Sequence, residues 1–350
     1  MLWIKSACLA AGFMLLMGCQ ATPQADRLRQ EGFVSLPPSH TIDTVPFSKQ
    51  QQFYCGPTTL SEVFGYYGVD ATPKDIAPKL FIPNKEGSLQ LEMVSATRQY
   101  GFLPYTERGT LSTIMALVSD NIPIIVFQNL SIQILPQWHY AVVIGFNSQK
   151  GTVTLHTGVT ENHEMSLELF ERTWGRGNYW YMAPVPSSVS SNSMSAYTYV
   201  SAAYDMMKVG STETAIQFLE AATKQWPSYW LSYFLLANHY LESEPTSDLS
   251  NEFDSNSSSN ESGNIEIDGT KARHFNAKLK EHSEEKAIIW FKKGYEVGKH
   301  QQAYVHNYAY TLFSHGEFEH GVRILNEGLT QFPHNVQLLE LAKQFNVELR

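Results

Sequence analysis

Two residues of this 350-residue chain stand where a thiol-based acyl-transfer reaction would need them, Cys55 and His139. Cys55 opens the stretch CGPTTLSEVFGYYG, in which Leu60, Val63, Phe64 and Tyr67 recur at helical spacing and Gly68 suits the stop. A helix N-terminus offers unpaired N–H groups and the positive end of the macrodipole, both of which favour a thiolate. Pro57 is tolerated there because the first turn asks no donor of it. His139 opens HYAVVIGF, a β-branched run that predicts a strand. A nucleophile at a helix start and a base at a strand start form the pattern of a Cys–His pair.

The elements that must position this pair follow from the pattern around it. Helices are predicted over 55–68, 73–80, 88–100, 111–119 and 167–174. Strands are predicted over 122–130, 139–147, 151–158 and 178–185, with 148–150 turning a hairpin. Helices first and antiparallel strands afterwards imply an α+β domain over 41–186. Trp138, Tyr140, Trp174, Tyr179 and Trp180 serve either the core or the walls of a cleft beside His139. His156, His163, Glu161 and Glu164 have no familiar metal-ligand spacing and read as polar residues at a hairpin end.

Together, VPFSKQQQFYCGPTTLSEVFGYYG and QWHYAVVIGFNSQKGTVTLHTG resemble the bacteriocin-leader (double-glycine) peptidase-like family of papain-fold cysteine peptidases. The resemblance implies that Gln50 helps to form an oxyanion hole with the Cys55 N–H, a donor worth about 3 kcal/mol. Gln51 and Gln52 offer alternative registers. It also implies an Asp on the strand after the His, and here the sequence departs from the family. TVTLHTG leaves Thr157, or His156, to orient the imidazole.

The N-terminus places one Lys before an apolar run too short for a comfortable span, as in a secretory signal. Leu16-Met17-Gly18-Cys19 resembles the bacterial lipobox, which implies a signal over 1–18, lipidation of Cys19 and a polar tether over 19–40. Gln20 after that cysteine implies the outer membrane of a Gram-negative envelope, periplasmic side. Of the 3 cysteines, Cys8 then leaves with the signal, Cys19 carries lipid and Cys55 remains alone. An unpaired thiol in an oxidising compartment is a liability unless buried or used. The net charge is −9 and no basic stripe with interleaved aromatics occurs, so no nucleic-acid partner is expected.

After a Pro/Ser linker at 187–195 the composition becomes helical and repetitive. Aligning Pro227 with Pro333 matches Gly210 with Gly316, Ala203 with Ala309 and Leu219 with Leu325. With about 38 residues inserted in the middle unit, the register closes on two periods of about 34, which resembles the tetratricopeptide repeat. An all-α repeat domain is expected over 196–350: repeats at 196–229, 230–301 and 302–335, a capping helix from 336, and a disordered insertion at about 241–283. Such stacks present a curved surface to a protein partner.

The reading that results is a membrane-anchored cysteine peptidase acting on a peptide or protein, with Cys55 as nucleophile, His139 as base, and no cofactor. No phosphate-binding loop of an export ATPase is present. A non-catalytic peptide-binding scaffold and another amide acyl-transfer enzyme remain alternatives.

Overall fold

The computed structural model describes residues 21–33, 36–82, 87–242 and 269–348, the side chains of 269–277 and 279 excepted. The predicted signal, Cys19 and most of the inserted segment lie outside the described residues. The chain divides into two compact units, 1–214 and 215–350.

The first unit is built on one antiparallel sheet. Its strands are β1 (Ser39–Thr41), β2 (Leu103–Arg108), β3 (Ile124–Asn129), β4 (Trp138–Asn147), β5 (Thr152–Thr157), β6 (Thr160–Ser166) and β7 (Trp180–Val185). The order is β2-β7-β3-β4-β5-β6, with β1 against the far end of β4. The helices are α1 (Pro23–Glu31), α2 (Cys55–Tyr66), α3 (Pro73–Leu80), α4 (Gln90–Gln99), α5 (Leu111–Ser119) and α6 (Leu167–Arg176).

Each predicted helix and strand has its counterpart, and β1, β2 and β6 come in addition. Polar β6 has no fully buried residue, so its sequence lacks the apolar alternation that marks a strand. Ile125, Val126, Ala141, Val142, Val143 and Tyr181 form the sheet's buried centre. Leu60, Val63 and Phe64 of α2 are fully buried, and Phe64 stacks on Phe102 with ring centroids 4.6 Å apart. Gly68 ends α2 at φ +84°, with the Val69 N–H returning to the Phe64 carbonyl at 2.9 Å.

Two boundaries differ from expectation. The segment read as a tether contains α1, whose Ala25 and Leu28 are buried. The Glu171 carboxylate accepts from the otherwise unpaired N–H groups of Gln24 and Ala25, at 3.0 and 2.7 Å. The linker is likewise tied down: Ser191 and Ser193 both hydroxyl-bond Asp120. Beyond it α7 (Ala196–Lys208) packs on β2, the Ser195 N–H meeting the Tyr105 hydroxyl at 2.8 Å. The first predicted repeat is therefore cut, its leading helix belonging to the sheet domain.

The second unit holds most of α8 (Thr212–Gln225) and then α9 (Trp230–Glu242), α10 (Gly269–Gly298), α11 (Gln302–Ser314), α12 (Phe318–Gln331) and α13 (Val336–Gln344). It is all-helical among the described residues, as expected. The long α10 already begins within the segment read as an insertion up to 283. Its core gathers Tyr233, Phe291, Tyr304, Tyr308 and Leu312. Gly316 takes φ +85° between α11 and α12, and Gly210 takes +91° between α7 and α8.

Candidate active site

Cys55 is the first residue of α2, and no side chain caps that end. The residue before the cap, Phe53, is held in the left-handed region at φ +66°, a conformation that a bulky side chain rarely adopts. The Tyr54 N–H closes the turn on the Gln51 carbonyl at 3.1 Å. Gln50 and Cys55 lie on the two sides of this turn, and both meet the backbone of Tyr140.

Gln50 is held from two sides. Its backbone N–H donates to the Gly158 carbonyl at 2.9 Å, and its side-chain amide reaches the Tyr140 carbonyl at 3.5 Å. Gln51 and Gln52 are exposed, so the register with Gln50 facing the site is the one adopted.

The base lies across from them at the start of β4. His139 Nε2 stands 2.8 Å from Thr157 Oγ1. The pairing of Val142 with His156 puts His139 and Thr157 on one face of the sheet, as diagonal neighbours. His156, one residue earlier, faces the other way: its Nε2 bonds the Val45 carbonyl at 3.1 Å and its Nδ1 accepts from the Asn162 N–H at 3.3 Å. Of the two candidate orienters, Thr157 is the one within reach.

Gln50 and Cys55 thus meet on the backbone of Tyr140, the residue after His139, whose imidazole lies against Thr157. Tyr140 supplies an N–H toward the Cys55 thiol, a carbonyl to Gln50 and a hydroxyl to the Ser88 carbonyl at 3.3 Å. Gly56 leaves no room for a side chain: a Cβ there would lie 2.5 Å from Ser88 Oγ and 3.1 Å from Met93 Sδ. On the same helix Glu62 is 1 % exposed and accepts from the Ser48 N–H at 2.9 Å, fixing the segment that leads to Gln50. Its second oxygen, Oε2, has no hydrogen-bond partner. Tyr140's backbone role has no side-chain signature, but Glu62 carries one, a lone acid on the apolar face of a helix.

The electrostatics depart from the expected thiolate. Burial pushes the Cys55 thiol above its ordinary range, against the N–H groups of Tyr140, Gly56 and Cys55 itself, which favour the anion. Burial also lowers His139 to about 4. Both directions favour thiol and imidazole over thiolate and imidazolium in the resting site. Because a neutral thiol is a poor nucleophile, the imidazole must take its proton as the attack occurs.

Thr157 makes the tautomer the decisive detail. If Nε2–H donates to Thr157 Oγ1, the Nδ1 lone pair is free for the thiol proton; if the hydroxyl donates to Nε2, Nδ1 carries hydrogen and cannot act as base. A carboxylate only accepts and would enforce the first arrangement, whereas a hydroxyl allows both. Trp174, Tyr140 and Trp180 are buried and pack the core, while Trp138 is half exposed at the rim.

Residues 42–180 match the Peptidase_C39 like family. Among solved structures, a protein described as a C39-like peptidase from Bacillus anthracis is 13 % identical, with a TM-score of 0.36 over 43 % of this chain and 98 % of its own. The peptidase domain of Streptococcus ComA, a bi-functional ABC transporter involved in quorum sensing, is 22 % identical, with a TM-score of 0.33 over 40 % and 98 %. No curated protein matches. The family match covers most of the antiparallel sheet and its helices and ends at residue 180.

Proposed function

We propose that this chain is a cysteine peptidase of the cell envelope, tethered to the membrane through a lipid on Cys19 on its periplasmic side. The observation that carries the reading is that Gln50 and Cys55, at a helix start, both meet the backbone of Tyr140, next to His139 with its partner Thr157. In the reaction Cys55 Sγ attacks a peptide carbonyl while His139 Nδ1 takes the thiol proton. The carbonyl oxygen becomes an oxyanion facing the Gln50 amide and the Cys55 N–H, and His139 returns the proton to the leaving amine as the C–N bond breaks. Water, deprotonated by the same imidazole, then hydrolyses the thioester. The helical region, read as tetratricopeptide repeats, recruits a protein partner.

A second reading is a peptide-binding scaffold that does not cut. The neutral resting pair and the hydroxyl in place of a carboxylate favour it.

A peptidyl vinyl sulfone, followed by intact mass, separates the two. A peptidase adds it to Cys55 much faster than iodoacetamide adds, and His139→Ala abolishes the difference. A scaffold shows no such preference in either protein, which would overturn the catalytic reading.

A further inference from the structure

The connection from β3 to β4, Leu130-Ser131-Ile132-Gln133-Ile134-Leu135-Pro136-Gln137, ends one residue before His139's neighbour Trp138 and turns its apolar side chains to solvent. Ile134 is 92 % exposed, Leu135 73 %, Ile132 60 % and Trp138 49 %. No Asp, Glu, Lys or Arg occurs from Asn121 to Gln149. The loop is nonetheless firmly held. Asn129 Oδ1 accepts from the N–H groups of Ser131 and Gln137 at 3.0 and 2.9 Å, and Arg176 donates to the Ser131 carbonyl at 2.6 Å. Trp138 stacks flat on Phe127, centroids 4.9 Å apart. A constrained loop with uncharged apolar side chains and a Trp at its base has the composition of a membrane-interface element.

The course of α1 indicates what covers it. α6 starts at the Gly151 turn, where the Leu167 N–H meets the Gly151 carbonyl at 3.0 Å, and ends at Arg176 against the loop. α1 runs the opposite way along α6, its N–H groups on Glu171 and its Arg29 on Glu168, beside Gly151. The N-terminal end of α1 is therefore its end nearer the loop. Only Gln20 separates Cys19 from Ala21, so at most about 7 Å of extended chain lies between Cys19 and the described fold. The N-terminal end of α1 and the apolar loop thus lie on the same side of the sheet domain, and the β4 end that bears His139 lies there too.

We infer that Ile132, Ile134 and Leu135 insert into the bilayer to which the chain is tethered, holding the Cys55 cleft against the membrane surface. The inference rests on the anchored reading above. It implies that the substrate is presented at that surface, as a segment of a membrane-bound polypeptide.

The test uses the full chain purified from membranes and reconstituted into phosphatidylethanolamine/phosphatidylglycerol vesicles. A benzophenone amino acid replaces Ile134 in one protein. In another it replaces Gln149, exposed beyond the far end of β4 and about 30 Å away along a ten-residue strand. The expected result is a phospholipid adduct several times more abundant at 134 than at 149, unaffected by added salt because no charge takes part. Co-flotation of the unsubstituted protein is scored first: a chain that does not float with vesicles overturns the anchor and the insertion together. A chain that floats but gives no lipid adduct at 134, or equal adducts at both positions, overturns the insertion alone. Adducts from 134 to polypeptide rather than lipid in native membranes overturn it in favour of a protein-docking loop.

Discussion

His139 Nε2 and Thr157 Oγ1 are 2.8 Å apart, diagonal neighbours on β4 and β5, and this contact replaces the carboxylate that the family resemblance leads one to expect. A neutral hydrogen bond of this kind contributes about 1 kcal/mol. Thr157→Val should therefore lower the rate of Cys55 modification by a peptide electrophile roughly five- to tenfold. Thr157→Asp should raise it, because a carboxylate only accepts from Nε2 and favours the imidazolium. Second-order rates followed by intact mass decide the matter; equal rates in all three proteins would show that Thr157 does not orient the base.

Gln50 should matter to the transition state more than to binding. Gln50→Ala removes one oxyanion donor, for which a loss on the order of 10²-fold in kcat is expected with little change in KM. Gln51→Ala and Gln52→Ala, at exposed positions, should be silent. A comparable loss at Gln51 would place the donor elsewhere.

Two buried groups give opposite pH signatures. His139 is lowered to about 4 by burial, so its folding contribution is present above the ordinary value of 6.5 and is lost as pH falls toward 4. Glu62 is raised to about 8, burial outweighing the Ser48 N–H, so its contribution is present below 4.5 and is lost as pH rises toward 8. Glu62→Gln keeps an acceptor for Ser48 and carries no charge. Its Tm should exceed that of the wild type near pH 8, and the gain should shrink toward pH 5. A pH-independent difference would sink the assignment.

Iodoacetamide labelling of Cys55 should rise only toward alkaline pH, since burial raises the thiol above 9.0. A plateau reached below pH 7 would instead reveal a thiolate held by His139.

Gly56 is a packing requirement as much as a helix residue. Gly56→Ala places a methyl 2.8 Å from Ser88 Cβ and should cost about 1–3 kcal/mol while displacing Cys55. Ser88→Gly should recover part of that loss, and a double-mutant cycle in urea measures the coupling. Additive effects would mean that the two residues do not meet.

Much of the fold, and the places of Cys55 at a helix start and His139 near a strand start, were legible in the sequence, because the signals are local. The spacing of Leu60, Val63 and Phe64 makes a helix and puts Cys55 at its start; the β-branched run after His139 makes a strand. Gly210 and Gly316 mark inter-helix turns because few residues tolerate φ near +90°. Other questions had no local answer. Whether Thr157 or His156 meets His139 depends on strand register, since adjacent residues face opposite sides of a sheet. Which of three glutamines faces the site depends on Phe53's left-handed turn and on the Gly158 carbonyl. The polar composition of 23–31 reads as a tether because its partner, Glu171, is distant in sequence; once that carboxylate caps the helix, a short segment that would be marginal alone is fixed. What opposes the thiolate is visible only in three dimensions. A helix N-terminus favours the thiolate from within a few ångströms of chain, but the desolvation that opposes it comes from every element packed around Cys55, and burial is a property of the whole fold.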